Sequence, residues 1–267
     1  MNRLQSLLPE GRLATSAWLG AHGYSRQLVG KYAASGWLQA VQRGVYRRPG
    51  PLLKWQHVVA SLGELLEFPP HVGGLSALEL RGYAHFVKPK GPGEIHLYGA
   101  RPLPAWVFAV PLGERLVFHP DRLFVAAAAG KRAAGAGAYR QSLTREPWGS
   151  WDWDLPYSTP ERAILELLEQ VPRQESAEHA DAIIAGLADL SSRRLVTLLA
   201  DCRSIKVKRL FLALASRHRH PWVRRVEQAA ERGEFALGRG KRMLVPGGRL
   251  HPKYRITLPA GLDVPGE

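Results

Sequence analysis

The sequence predicts an α+β protein in two parts, a small N-terminal module followed by a larger region of mixed α and β structure. Three observations support this prediction. The composition is globular, with 45% hydrophobic and 22% charged residues, which excludes wholesale disorder. Gly and Pro separate short helical and strand-like runs that do not alternate as regular β-α units. The 267 residues suffice for about two domains, which we place at residues 1–50 and 51–267.

The first part begins with short helices. Residues 2–7 can form one helical turn or more, with leucines on one side. Thr15 is a suitable N-cap for a helix over residues 16–22, and Gly23 suits the position just past its end. Ser25 can cap a further helix that reaches about residue 35. Two short helices joined by a turn that contains glycine form the outline of a helix-turn-helix.

The second helix of this pair has two different faces. Leu28, Val29 and Tyr32 form an apolar stripe that points inward. The opposite face carries Arg26, Gln27, Gly30, Lys31 and Ala34. Arg and Gln can bind guanine and adenine edges in the major groove, and Gly and Ala allow a close approach. The pattern therefore predicts a recognition helix for DNA.

A β-hairpin follows this helix. Two short apolar runs over residues 37–46 meet at a turn near Arg43 and Gly44, which completes the outline of a winged helix. Arg43 at the tip of the wing and Arg47 and Arg48 at its base can reach phosphates. The alternative is a winged helix that contacts only protein, with a solvated basic face. The predicted DNA-binding residues are Ser25, Arg26, Gln27, Lys31, Arg43, Arg47 and Arg48.

Positive charge is distributed unevenly along the chain, whose formal net charge is +14. Residues 1–50 carry seven basic residues and one acidic residue, and residues 201–267 carry fifteen against six. Residues 151–200 instead hold nine acidic residues against four basic ones. Such polarisation favours a polyanionic partner for the basic segments. The single cysteine, Cys202, excludes a disulfide framework, and we expect it in the core.

The C-terminal basic segment has two interpretations. Its cations can form a second nucleic-acid surface, or they can be solvated and pair with the acidic stretch before them. Taken as a cluster, they favour a functional patch. The residues of this predicted second basic patch are Arg203, Lys206, Lys208, Arg209, Arg217, Arg224 and Arg225.

The remaining residues predict mixed secondary structure. Thr159, with Pro160 at the first helical position, can open a helix, and Ser158 with Glu161 can form a capping box there. We expect helices over residues 53–67, 75–81 and 159–171, and two or three more over 177–217. We expect strands over residues 94–98, 105–110 and 115–119, and a C-terminal hairpin of 241–245 with 254–258. An Ala/Gly-rich run covers residues 126–138.

The sequence offers little support for an active site, and we expect no catalytic residues, cofactor or metal. Gly233 and Gly238 have the glycine spacing of a phosphate-binding loop, but Arg239 follows Gly238, so the Lys and the hydroxyl that the motif requires are out of register. His218 and His220, two residues apart, point to different faces of a helix. Asp152 and Asp154 alternate with tryptophans and can share one strand face, so the competing hypothesis is a metal-dependent nuclease targeted by a winged helix.

Four blocks of sequence together resemble a known family. They are Arg43–Tyr46 (RGVY) at the end of the wing, Val72–Leu80 (VGGLSALEL), Ser158–Leu167 (STPERAILEL) and Lys253–Pro259 (KYRITLP). In this order, and over nearly the whole chain, the blocks are similar to those of AbiEi antitoxins from type IV toxin–antitoxin, or abortive infection, systems.

The resemblance implies an N-terminal winged helix that represses the antitoxin–toxin operon at inverted repeats in its promoter. It implies a C-terminal domain that opposes a nucleotidyltransferase-like toxin without a stable complex. We expect double-stranded DNA as a partner and a monomer in solution. The longest apolar runs, near residues 123–130 and 210–215, are too short to span a membrane, and Met1–Leu4 leads into no apolar signal core, so we expect no membrane and a cytoplasmic location. A stand-alone transcription regulator is the remaining alternative.

Overall fold

The computed structural model describes residues 3–66, 69–83, 92–125, 141–150 and 152–262. The helices there are α1 (Arg3–Leu7), α2 (Ser16–Ala21), α3 (Arg26–Ala34), α4 (Trp55–Leu65), α5 (Gly74–Leu80), α6 (Pro160–Gln170), α7 (Ala177–Gly186), α8 (Ser192–Asp201), α9 (Ile205–Ala215) and α10 (Val223–Glu231), together with a 3₁₀ helix, η1 (Ala105–Ala109). The strands there are β1 (Leu13–Thr15), β2 (Gln39–Gln42), β3 (Val45–Arg47), β4 (His71–Val72), β5 (Glu94–Gly99), β6 (Arg115–Pro120), β7 (Leu143–Trp148), β8 (Trp153–Ser158), β9 (Arg249–Leu250) and β10 (Thr257–Leu258).

These strands form three sheets, in the orders β1-β3-β2, β10-β9 and β6-β5-β4-β8-β7. The last sheet is mixed, since β5 and β6 are parallel along their whole length and Val72 pairs with Tyr157 in parallel. The predicted α+β class is confirmed. Within the part of the chain described above, no helix is both long and apolar enough to cross a membrane.

The chain divides into two compact units. Unit 1 comprises Met1–His71, Lys88–Pro120 and Arg145–Pro156, and unit 2 comprises Val72–Val87, Asp121–Thr144 and Tyr157–Glu267. The predicted division at residue 50 stays a prediction.

In unit 1, the predicted helix caps hold the helix-turn-helix. Thr15 Oγ1 accepts a hydrogen bond from the Trp18 amide at 3.1 Å, and Ser25 Oγ accepts one from the Leu28 amide at 3.2 Å. Gly23 has φ 89°, a left-handed conformation that glycine adopts without steric cost. The chain can therefore turn sharply between α2 and α3.

Three antiparallel strands complete this module. Strand β3 lies between β1 and β2. Its Arg47 therefore pairs with Leu13 of β1 on one side and with Gln39 of β2 on the other. The sequence reasoning did not predict β1, because its three residues give too short a pattern to show alternation. A small apolar core lies beneath the helices and includes Leu4, Leu8, Leu19, Val29 and Leu38.

Unit 2 is mainly helical, and α6 lies at its centre. Residues 161–168 of α6 are all buried, including the charged Glu161, Arg162 and Glu166. The Arg162 guanidinium donates to Asp121 Oδ2 at 2.7 Å and to Glu166 Oε1 at 2.6 Å. Buried charges of this kind are retained only when they are paired.

Glu166 also joins two of the sequence blocks that carry the family resemblance. Its Oε2 accepts hydrogen bonds from the Gly74 amide at 2.9 Å and from Ser158 Oγ at 2.8 Å. The helix begins at Pro160 after Thr159, as predicted. The predicted capping box does not form, because Ser158 donates to Glu166 while Glu161 binds Arg194 instead.

Two predicted strands are wrong. Residues 105–109 form η1, since Pro104 precedes them and its carbonyl accepts from the Val107 amide, which starts a turn of i→i+3 type. In the C-terminal segment, residues 241–245 contribute only an isolated bridge from Arg242 to Ile256, and β10 pairs with β9. The Ala/Gly-rich run at 126–138 lies outside the described residues.

Candidate nucleic-acid interface

Helix α3 presents one continuous exposed face in unit 1. Val29 is buried on the inner side of the helix, and Leu28 and Tyr32 pack partly against the same core. The residues exposed on the helix and its cap are Ser25, Arg26, Gln27, Gly30, Lys31 and Ala34. The structure thus brings together on one surface all the side chains that the sequence assigned to the predicted recognition helix.

The position of the cap fixes how α3 begins. Because Ser25 accepts from the Leu28 amide, the helix starts at Arg26, and Arg26 and Gln27 lie in its first turn. In helix-turn-helix proteins this is the part of the recognition helix that contacts base edges. No acidic residue lies in the first turn, so nothing there repels a phosphate.

The wing is held in place by two contacts within unit 1. The Ser16 amide at the start of α2 donates to the Gly44 carbonyl at 2.8 Å. Gln42 Nε2 donates to the Trp106 carbonyl in η1 at 2.9 Å. Gly44 has φ 77°, so the tight turn leaves Arg43 exposed at the tip. The sequence reasoning missed the role of η1, which it interpreted as a strand.

Arg47 differs from the other predicted contacts because only 8% of it is exposed. Its Nε donates to Gln39 Oε1 at 2.9 Å, and its Nη1 donates to the Pro51 carbonyl at 2.6 Å. Burial lowers the pKa of Arg47, against the opposing effect of the Glu10 carboxylate. Arg47 therefore braces the base of the wing, and its neighbour Arg48 is half-buried.

The predicted second basic patch in unit 2 does not form one exposed surface. Lys206 Nζ donates to the Glu169 and Val171 carbonyls, each at 2.7 Å. Arg209 is buried and donates to the Leu237 and Gly240 carbonyls, also at 2.7 Å each. These two cations therefore fasten neighbouring segments of the chain.

The other members of that patch divide in the same way. Lys208 is buried, which lowers its pKa, and Arg217 lies 3.2 Å from an Asp181 carboxylate oxygen. The three members that remain exposed are Arg203, Arg224 and Arg225. Charge counting overestimated the patch because it could not show which cations bind carbonyls and carboxylates of their own chain.

The predicted carboxylate pair is also not arranged on one strand face. Asp152 lies in the turn before β8 with φ 45°, and the strand begins at Trp153, so only Asp154 belongs to it. Across the residues that the structure describes, there is no group of three or more His, Cys, Asp or Glu side chains that could hold a metal ion. The geometry that motivated the nuclease hypothesis is therefore missing from this hairpin.

Cys202 is buried, as expected from the sequence. Burial raises the pKa of its thiol to about 11, so the side chain is a protonated core residue at neutral pH. His218 and His220 serve structural roles as well: His218 Nε2 lies 2.9 Å from Asp181 Oδ1, and His220 Nε2 lies 2.8 Å from the Ile184 carbonyl.

Comparison with known proteins identifies the family. Residues 1–89 match a family model described as a transcriptional regulator, the AbiEi antitoxin N-terminal domain. Residues 93–259 match one described as a transcriptional regulator, an AbiEi antitoxin of a type IV toxin–antitoxin system. No curated protein matches the sequence. Since the two models together cover almost the whole chain, this protein belongs to the AbiEi antitoxin family of type IV toxin–antitoxin systems.

Proposed function

We propose that this protein represses its own operon by binding inverted repeats in the promoter through the winged helix, and that it counteracts a nucleotidyltransferase-like toxin encoded beside it. The observation that carries the DNA-binding half is the exposed face of α3, which combines two side chains able to bind bases, Arg26 and Gln27, with the small residues Gly30 and Ala34. The antitoxin half is supported by family membership.

In the proposed complex, α3 lies in the major groove. Arg26 binds guanine through its two-pronged guanidinium, and Gln27 binds adenine through its amide. Lys31 on the same face and Arg43 on the wing bind phosphates, and Ser25 donates its hydroxyl hydrogen to a phosphate. Gly30 and Ala34 allow the helix backbone to come close to the groove. Arg47 is omitted from this set because it is committed to Gln39 and Pro51.

A gel shift on the DNA upstream of the operon tests the first half. Replacing Arg26 and Lys31 together by Ala should weaken the shift at least tenfold, because one base contact and one phosphate contact are lost. The matched control is Arg173→Ala with Arg193→Ala, which removes the same charge from exposed positions of unit 2 and should leave the shift unchanged. An equal loss in both double variants would indicate a general charge effect and reject the interface.

The proposed antitoxin activity concerns the residues that follow the winged helix. We propose that residues 51–267 carry the antitoxic activity, that the protein is a monomer in solution, and that it opposes the toxin without a stable complex. Growth rescue on coexpression with the neighbouring gene tests this proposal. The full chain with Arg26→Ala and Lys31→Ala should still rescue growth, because DNA recognition and antitoxicity reside in different parts. Failure to rescue by this variant, when the wild type rescues, would contradict that separation.

A further inference from the structure

Unit 1 contains a cavity of about 440 Å³ that the DNA-binding proposal does not use. Its aromatic wall consists of His57, Trp148 and Trp153, while Glu10 and Lys54 supply polar groups at its edge. A volume of this size falls within the range typical of sites for small ligands.

The aromatic side chains of the wall pack closely against one another and against Gly11. The His57 ring meets Trp148 edge-on, with centroids 4.8 Å apart, and it meets Trp153 in the same manner at 5.8 Å. Gly11 packs so closely behind this wall that a Cβ there would lie 2.6 Å from His57 Cδ2. Its φ of 83° also requires glycine. The Arg12 guanidinium lies 5.4 Å from the Trp153 ring centroid.

The cavity is lined by one side chain of each charge, the cation Lys54 and the anion Glu10. The Lys54 amide donates to His57 Nδ1 at 2.9 Å, so in the neutral ring the hydrogen resides on Nε2. Burial lowers the pKa of His57, and the positive charges of Arg47 and Lys54 lower it further, which keeps the imidazole uncharged at neutral pH. The ring therefore adds no cation of its own, whereas Lys54 is exposed at the edge and can bind an anionic group.

We propose that this cavity binds a small molecule that combines a planar aromatic ring with an anionic group, such as a nucleoside monophosphate or an aromatic carboxylate. The ring stacks on Trp148, which is only half-buried, whereas Trp153 is 8% exposed and forms the floor. Lys54 binds the anionic group, and Glu10 accepts a hydrogen bond from an N–H or O–H of the ligand. Aromatic stacking and a charge-assisted hydrogen bond together give affinity and orientation.

Isothermal titration calorimetry on the full chain tests the site. AMP and indole-3-acetate are titrated as the two sources of ring-bearing anion, with adenosine and choline as the uncharged and cationic comparisons. We expect one of the anions to bind with one-to-one stoichiometry, with adenosine at least tenfold weaker and choline silent. The tighter of the two anions identifies the ligand class.

Variants test whether the heat of binding measured by calorimetry arises at this cavity. Lys54→Gln changes an exposed side chain, and Trp148→Ala removes the stacking surface; each should weaken binding about tenfold. Trp148→Phe keeps an aromatic ring and should retain most of the affinity, even if Trp148→Ala fails to fold. The control is Trp37→Ala, which removes a 45% exposed indole of unit 1 outside the cavity and should not change binding. No binding of either anion at millimolar concentration, tighter binding of choline, or binding insensitive to Lys54→Gln would overturn the proposal.

Discussion

Replacing Arg162 by Met should destabilise unit 2 in a way that depends on pH. Arg162 is fully buried and is the positive charge between two buried carboxylates, Asp121 and Glu166. Its Nη1 also donates to Ser142 Oγ at 3.1 Å, and its guanidinium lies 4.8 Å from the Phe124 ring centroid. Methionine fills part of the volume but removes the positive charge that both carboxylates contact.

The magnitude follows from these contacts. Removing one partner of a buried ion pair costs about 3–5 kcal/mol in the free energy of unfolding, because the remaining charge stays desolvated. At roughly 2–4 °C per kcal/mol for a chain of this size class, the melting temperature should fall by about 6–20 °C. Part of this loss should be regained in acid. Without Arg162 the two carboxylates are buried negative charges, so neutralising them in acid removes the cost of keeping those charges out of water.

Urea unfolding monitored by circular dichroism at pH 7.5 and pH 5 measures the loss of unfolding free energy and its recovery in acid, with the wild type as reference at each pH. Arg193→Met is the control, because it removes an arginine from an exposed helical position and should change stability by less than about 1 kcal/mol. A loss of under about 1 kcal/mol for Arg162→Met, or a loss that is as large at pH 5 as at pH 7.5, would refute the account that Arg162 stabilises two buried carboxylates.

Three further predictions concern individual side chains. Thr15→Ala should destabilise unit 1 by about 1 kcal/mol in urea unfolding, because the Trp18 amide loses its cap, whereas Thr15→Ser should be nearly neutral. Ellman's reagent should leave Cys202 unmodified in the native protein at pH 8, because burial raises the pKa of its thiol to about 11. The reagent should label Cys202 in 6 M guanidinium, and rapid labelling of the native protein would contradict the prediction. Burial lowers the pKa of His251, so its contribution to stability is present above pH 6.5 and is lost as the pH falls. His251→Asn should therefore flatten the decline in unfolding free energy between pH 7.5 and pH 5.5. An equally steep decline in the variant would contradict a role for His251 in this pH dependence.

Local sequence signals predicted the winged helix well. Ser25 and the glycine after α3 fixed the two ends of that helix, and the apolar spacing of Val29 and its neighbours identified which face is exposed. These signals work because capping and helical periodicity depend on residues a few positions apart. The three-residue strand β1 was missed because it forms only by pairing with β3, which is distant in sequence.

The errors in predicting which basic residues are exposed also arise from contacts that the local sequence does not show. Lys206 and Arg209 were predicted to be surface cations, yet their partners are main-chain carbonyls 28 to 46 residues away in the sequence. Arg47 binds Gln39 across the hairpin, a contact that depends on the register of the strands. The number of basic residues can be read from the sequence, whereas the carbonyls and carboxylates that bind them depend on the tertiary structure.

Fluorescence anisotropy with labelled DNA from upstream of the operon, compared with a scrambled duplex over a range of salt concentrations, tests the central claim most directly. We predict that the wild type prefers the operator, and that Arg26→Ala reduces this preference by about 1–3 kcal/mol. Lys31→Ala should weaken both duplexes and reduce the slope of log K against log salt by about 0.9. Equal affinity of the wild type for the two duplexes, or operator binding unchanged in both variants, would contradict recognition by α3.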